Sequence, residues 1–290
     1  MIKFNKIGKF VAGAVLAMSS SVAMAEHVPG LAFSETLFTI NPTAVGLTGC
    51  GTSTCTARYI DFSYRAEVNQ TNTGMGTASF AETGAGFFGS FRADDLGDSP
   101  LEDTGLTTNY RMYFVFSAAG NTSTGAEGPI DGTFSAFNYT IYIDPNRNTG
   151  LSQPGTGGVD ETVVPTGITS DDFAVLTGTL ESGGFHIFGG LANGDFDVIA
   201  SATRIADANG NFFFGGEAFA TGVARTDING VNSSVMGVSP DNPFADTTDI
   251  LINGSGNTSF EPVDVPEPAS LALFGLALAG VAFTRRGKKA

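Results

Sequence analysis

Residues 133–144 read TFSAFNYTIYID, and this stretch decides the fold class. Its side chains alternate between two faces, and one face carries Phe137, Tyr139, Ile141 and Ile143. A period of two with aromatic and β-branched residues is typical of a β-strand. Residues 58–68 and 110–118 alternate in the same way, and no segment between residues 26 and 262 shows a sustained helical period. The pattern predicts an all-β protein.

Turn signals separate these runs. Asn-Gly pairs begin at Asn193, Asn209 and Asn229, and this dipeptide is favoured in tight hairpins because both residues accept positive φ. Many short antiparallel strands with glycine-rich turns predict an antiparallel β-sandwich or a jelly-roll-like domain over residues 26–262.

Charge is distributed very unevenly along the chain. All five lysines lie in the first nine or the last three residues, so residues 26–284 carry seven arginines against 29 acidic residues, a net charge of −22. Such a domain repels nucleic acid, and we therefore exclude nucleic acid as a partner. Of the 25 phenylalanines of the chain, 23 lie in residues 26–284, and they supply enough apolar surface for a core despite the charge.

The N-terminus has the pattern of a secretory signal peptide. Three lysines precede an apolar stretch at residues 10–18, and Ala23 and Ala25 then match a small-residue cleavage site. Residues 1–25 are therefore expected to be removed, which leaves Glu26 first. A retained N-terminal anchor is the alternative.

The C-terminus has a second apolar stretch, at residues 271–284. Pro266 and Pro268 suit the entrance of a helix. The stretch is followed by a cationic stop that consists of Arg285, Arg286, Lys288 and Lys289. We expect a short hydrophobic helix that enters the inner membrane transiently, with its basic end in the cytoplasm. The alternative is a core helix, but the four charges would be costly to bury.

The order of these elements resembles the PEP-CTERM sorting signal of Gram-negative bacteria. The resemblance lies in residues 263–290, and its Pro-Glu-Pro element consists of Val265, Pro266, Glu267 and Pro268. It implies processing near these residues by an exosortase, a membrane protease-transpeptidase, and export to the cell surface or the extracellular matrix. The mature chain would then lack a transmembrane helix.

A second resemblance covers much of the domain. The stretches NYRMYFVFSAAG, DPNRNTG, LANGDFDV and INGSGNTSFEPV are similar to those of flocculation-associated PEP-CTERM proteins. This resemblance implies a structural or adhesive role with exopolysaccharide in floc or biofilm formation, and it makes extracellular polysaccharide the expected partner.

Four residues separate Cys50 from Cys55 in GCGTSTC. In an exported chain such a pair is expected to form a local disulfide. A metal or redox pair is the alternative, although such pairs usually show a Cys-x-x-Cys spacing or a second pair.

Asp144, Asn146 and Asn148 place oxygen ligands at alternate positions before Gly150, as in the first half of a calcium loop. The glycine comes one residue late, and no glutamate stands at the twelfth position, which is Gly155. A simple turn after the strand that ends at Asp144 is the alternative. Calcium is the only cofactor that the sequence suggests.

No catalytic motif is recognisable. The two histidines, His27 and His186, stand apart, and no nucleophile elbow, Walker loop or His-Glu-x-x-His is present. We therefore expect a surface or matrix protein that is not an enzyme. The alternatives are a secreted carbohydrate-active enzyme and a calcium-dependent sugar-binding module, each on a jelly-roll scaffold.

Overall fold

The computed structural model describes residues 33–51, 54–74, 76–93, 99–124, 130–152, 162–187, 194–205, 208–239 and 246–263. The predicted signal peptide and C-terminal hydrophobic helix lie outside these ranges. Within them, no helix has the length and hydrophobicity needed to cross a bilayer. The described chain is almost entirely antiparallel β-structure, which confirms the predicted class.

Short 3₁₀ helices occur at Pro42–Val45 and Ala208–Phe212. The strands of the described chain are β1 (Phe38–Ile40), β2 (Cys55–Ala57), β3 (Tyr59–Gly74), β4 (Thr77–Arg92), β5 (Arg111–Thr124), β6 (Ile130–Asp144), β7 (Thr149–Leu151), β8 (Pro165–Gly167), β9 (Phe173–Ile187), β10 (Gly194–Arg204), β11 (Phe213–Gly216), β12 (Val223–Ser239) and β13 (Thr247–Pro262).

Eight long strands form one closed barrel in the order β3-β4-β5-β6-β9-β10-β12-β13, and β13 pairs back onto β3. Every barrel strand is antiparallel to both neighbours, so none presents an unpaired edge. The connections run up and down in chain order, whereas a jelly roll has Greek-key crossings. The predicted strands therefore lie in a single closed sheet and not in two stacked ones.

Two of the predicted Asn-Gly turns are wrong. Asn229 and Gly230 lie in the middle of β12, where Gly230 is paired with Phe196 of β10 and with Gly256 of β13. Asn209 and Gly210 lie in the second 3₁₀ helix. The Asn-Gly pattern predicted a turn at Gly230, but this glycine instead makes room for the ring of Phe196 on the adjacent strand.

Inward-facing glycines pair with aromatic residues throughout the barrel. A Cβ at any of these glycines would lie 2.1–2.7 Å from an atom of the ring on the adjacent strand. The barrel interior is narrow, so a large side chain needs a small one beside it. The cross-strand pairs are Gly84–Phe116, Gly86–Phe114, Gly120–Phe80, Gly132–Phe185, Gly178–Tyr139, Gly230–Phe196, Gly254–Tyr64 and Gly256–Phe62.

One end of the barrel is covered by a small three-stranded sheet of β11, β1 and β2, which we call the plug. Phe38 of β1 is fully buried, and its ring lies 5.0 Å from that of Phe260 and 6.4 Å from that of Phe91. The plug shares one continuous apolar core with the barrel. At this plugged end β6 ends and β9 begins, and this arrangement positions the acidic cluster described next.

Candidate functional site

Asp144 is the last residue of β6, and its carboxylate is fully buried. Its Oδ1 accepts hydrogen bonds from the backbone N–H groups of Asn146 (3.1 Å) and Asn148 (3.2 Å), and its Oδ2 accepts from Thr149 N–H (2.9 Å). An aspartate that accepts from its own following backbone stabilises a turn. Asp144 therefore organises the turn that leads into β7.

The turn lies against two further carboxylates that precede β9, namely Asp171 and Asp172. Carboxylate oxygens of Asp144, Asp171 and Asp172 lie within 4.8 Å of one another. The side-chain amides of Asn146 and Asn148 both donate to Asp171 Oδ2, the latter over 3.4 Å. The fold thus assembles three acidic groups from segments far apart in the sequence, and we call them the acidic cluster.

Asp172 is held by two hydroxyl groups. Its Oδ2 accepts from Tyr113 Oη at 2.9 Å and from Thr149 Oγ1 at 2.7 Å. Burial, followed by the charges of Asp144 and Asp171, raises the pKa of Asp172 above its ordinary value. The pKa of Asp171 is lowered, chiefly by the hydrogen bond from Asn146. Burial raises the pKa of Tyr113, and its bond to Asp172 raises it further, so this phenol stays protonated.

Two oxygens of the acidic cluster are buried and have no hydrogen-bond partner in the described structure, Oδ1 of Asp171 and Oδ1 of Asp172. Calcium prefers carboxylate and amide oxygens, and it offsets the repulsion between neighbouring carboxylates. Chemically, the acidic cluster can hold a hard divalent cation.

The calcium-loop pattern in the sequence predicted Asp144, Asn146 and Asn148 as ligands, and the structure brings these three residues together. It missed Asp171 and Asp172, which follow 27 and 28 positions after Asp144. The signal for them was an Asp-Asp pair directly before a strand, but only the pairing of β6 with β9 places that pair beside Asp144.

Two other sequence-derived assignments fall within the described residues. Cys50 and Cys55 form a disulfide, as predicted. His186 lies on the outer face of β9, where its Nδ1 contacts the carboxylate of Asp131 on the adjacent strand β6. This histidine is a surface residue of the sheet.

The outer wall of the barrel carries a row of small polar side chains across neighbouring strands. Thr83 is paired with Ser117, Ser117 with Asn138, and Asn138 with Thr179. Thr179 N–H then donates to Ser201 Oγ at 2.9 Å. We call these five residues the hydroxyl belt. Its central members, Ser117, Asn138 and Thr179, are exposed, so the hydroxyl belt can form several hydrogen bonds with a polymer lying across the strands.

The proposed sorting, membrane-stop and signal-cleavage residues lie outside the described residues. The described chain ends at residue 263, directly before the sorting element. Among curated proteins and among solved structures, no significant match to this chain is found. Residues 264–286 match the family described as the PEP-CTERM protein-sorting motif. The chain therefore carries the PEP-CTERM sorting signal of an exosortase-dependent, exported cell-surface protein of Gram-negative bacteria.

Proposed function

We propose that this protein is a structural or adhesive component of the cell surface and extracellular matrix, where it associates with exopolysaccharide and supports floc or biofilm formation. The sorting motif at residues 264–286 is the observation that carries the proposal, because it directs the acidic barrel outside the cell. The role is inferred from the resemblance of four stretches of the domain to flocculation-associated PEP-CTERM proteins, and exosortase is the processing partner.

The hydroxyl belt on the outer wall supports this proposal. The hydroxyl belt offers hydrogen-bond donors and acceptors at the spacing of neighbouring strands, about 4.8 Å. This regular spacing suits a polymer that carries hydroxyl groups at regular intervals. Each such contact is weak because it replaces a hydrogen bond to water. Binding would therefore be the sum of many small contributions and would not depend on one residue.

Terminal peptide mapping tests the location. Mass spectrometry of protein recovered with the matrix should find a chain that begins at Glu26 and ends between Val265 and Pro268. A chain found only in the inner membrane and still ending at Ala290 would contradict the matrix role and indicate a plain membrane anchor.

Polysaccharide binding tests the role. Single alanine substitutions at Ser117, Asn138 and Thr179 should each weaken binding to the purified polysaccharide slightly, and the triple variant should combine their effects. Ser63, Ser255 and Asn257 lie on neighbouring strands of the opposite wall and provide a matched triple alanine control. Cleavage of the polysaccharide that is abolished by replacing one carboxylate would instead indicate the alternative, a carbohydrate-active enzyme.

The acidic cluster favours a second candidate function, a calcium-dependent sugar-binding module. In this case calcium bound at Asp144, Asp171 and Asp172 would bridge the barrel to anionic groups of the polymer. Chelation with EDTA should then abolish sugar binding, and Asp144→Ala should have the same effect. Binding that is unchanged by EDTA would exclude this candidate and leave the adhesive role intact.

A further inference from the structure

The barrel interior holds a cavity of about 120 Å³. Aromatic rings dominate its wall, among them those of Phe80, Phe116, Phe134, Phe137 and Phe185. An apolar cavity of about 150 Å³ takes up one benzene molecule, so a cavity of about 120 Å³ is only slightly smaller than one that holds a single ring, and an eight-stranded barrel can hold one small ligand. The space therefore suits a molecule built around a single ring.

One acidic residue, Glu82 of β4, lies on this apolar wall. Its cross-strand neighbours are Val68 and Ala118, and neither side chain can form a hydrogen bond. The Glu82 carboxylate has no hydrogen bond or ion pair with any described residue. Gln70 of β3 lies diagonally across from Glu82 and also lines the cavity. Its side-chain amide likewise has no hydrogen-bond partner in the described structure.

The other polar side chains of the cavity wall have partners. Tyr64 Oη donates to Asn232, and Tyr139 Oη donates to the carbonyl of Ser201 at 3.0 Å. Thr122 donates to the carbonyl of Ala78, and the hydroxyls of Thr226 and Thr258 are 2.7 Å apart. Among the described lining residues, Glu82 and Gln70 are therefore the polar side chains that have no hydrogen bond, and they are neighbours.

No lysine, arginine or histidine is among the described residues that line the cavity. Burial without a partner raises the pKa of Glu82 to about 7, so its charge is costly to maintain. A cation beside the carboxylate would offset this cost, and the faces of the surrounding rings attract cations as well. The chemistry of the wall is thus complementary to an apolar molecule with one ammonium group.

We propose that the cavity is a binding site for a small apolar amine, with its ring among the phenylalanines and its ammonium donating to the Glu82 carboxylate and the Gln70 carbonyl. This site lies inside the barrel and is independent of polysaccharide binding on the outer wall.

Isothermal titration calorimetry of the purified full-length chain at pH 8 tests the proposal. The probes are 2-phenylethylamine and propylbenzene, which have similar size and differ in the ammonium group. We expect the amine to bind at least about tenfold more tightly. Glu82→Gln should remove this preference by weakening amine binding about tenfold or more, and it should change propylbenzene binding by less than about twofold.

Glu67→Gln provides the matched control, because Glu67 faces outward on the adjacent strand β3 and its loss changes the net charge equally. This variant should bind both probes as the wild type does. Equal affinities of the wild type for the two probes, no binding of either, or an amine affinity that survives Glu82→Gln would each overturn the proposal.

The pH dependence gives a test that needs no variant. The titratable groups among the described lining residues are Glu82, Tyr64 and Tyr139, and burial raises the pKa of both tyrosines, so they remain neutral. Lowering the pH from 8 to 5.5 should protonate Glu82 and weaken amine binding at least about tenfold, while propylbenzene binding stays constant. An amine affinity that does not change with pH would contradict the role of Glu82.

Discussion

Two partly buried acidic residues, Glu82 and Asp172, should make the protein sensitive to pH and to cations. Glu82 is the one acidic side chain among the described residues of the cavity wall, whereas Asp172 lies beside two other carboxylates. Desolvation is the leading cause of the raised pKa in both cases, but only Asp172 also experiences nearby charge of the same sign from its own cluster. Glu82 should therefore respond mainly to pH, and Asp172 should respond to divalent cations as well.

Glu82 should make the protein less stable as the pH rises. Its pKa is about 7 in the folded chain and near its ordinary value of 4.5 when unfolded, so the folded state binds more protons between these values. The free energy of unfolding should therefore fall from pH 4.5 to about 7. Glu82→Gln should flatten this decline and raise stability at pH 8 by roughly 1–3 kcal/mol. Urea unfolding at a series of pH values measures the effect.

The Glu67→Gln variant again serves as the comparison, since it changes an outward-facing carboxyl group. It should retain the wild-type slope of stability against pH. If Glu82→Gln retains this slope as well, burial of Glu82 does not control the pH dependence.

Calcium should stabilise the protein through the acidic cluster. At about a hundredfold excess over its Kd, a ligand adds about 2.7 kcal/mol, which corresponds to a Tm increase of roughly 5–10 °C for a domain of this size. Asp172→Asn should abolish this increase, and it should raise Tm slightly without calcium because it relieves repulsion by Asp144 and Asp171. Differential scanning fluorimetry with calcium and with EDTA measures both effects.

Asp195→Asn is the control for the loss of one charge, because Asp195 lies in β10 and outside the acidic cluster. It should keep the full calcium response. An equal response from the wild type and Asp172→Asn would exclude the acidic cluster as the calcium site.

At the scale of the strands, the pairing of glycine with aromatic residues accounts for eight of the 39 glycines and six of the 25 phenylalanines. A strand is weakened by glycine, which has no side chain to pack. In this barrel the ring on the adjacent strand fills the vacant space, as Phe116 does over Gly84. The packing therefore depends on the register of neighbouring strands, because a slip of one residue would turn the rings outward.

Gly84→Ala should destabilise the barrel by about 1–3 kcal/mol, the usual range for overpacking. The added Cβ would lie 2.4 Å from the Phe116 ring and 2.6 Å from the Arg65 carbonyl oxygen. Gly89→Ala in the same strand is a matched control, since its Cβ would meet no atom within 4 Å. Guanidinium unfolding should show a clear loss for Gly84→Ala and almost none for Gly89→Ala. Equal losses of unfolding free energy in the two variants would mean that the packing of the Phe116 ring does not require a glycine at position 84.

At the scale of the whole molecule, the plug and the barrel share one hydrophobic core. Phe38 lies among Phe91, Phe213 and Phe260, with ring centroids 5.0–6.4 Å away. These rings come from the plug and from two strands of the barrel. We therefore expect the plug and the barrel to unfold together in one cooperative transition.

Phe38→Ala should lower the free energy of unfolding by about 3–5 kcal/mol, because it leaves a cavity between plug and barrel. The neighbouring Leu37 is 39% exposed, so Leu37→Ala should cost much less. Denaturant unfolding monitored by near- and far-ultraviolet circular dichroism should give coincident transitions for both variants. Separate transitions would show that the plug unfolds independently of the barrel.

The all-β class, the local disulfide and the sorting motif could be predicted from the sequence because each depends on neighbouring residues. Alternation in residues 133–144 reports the faces of one strand, and Cys50 is only five positions from Cys55. Closure into a barrel, the burial of Gly230 opposite Phe196, and the meeting of Asp144 with Asp171 and Asp172 could not be predicted in this way. These features depend on which strands pair and in what register, and that choice is decided by the packing of large rings against glycines across the sheet. The sequence by itself therefore determined the strands and the sorting motif, while only the tertiary structure decided where the carboxylates of Glu82 and of the acidic cluster lie, because their positions depend on which strands pair.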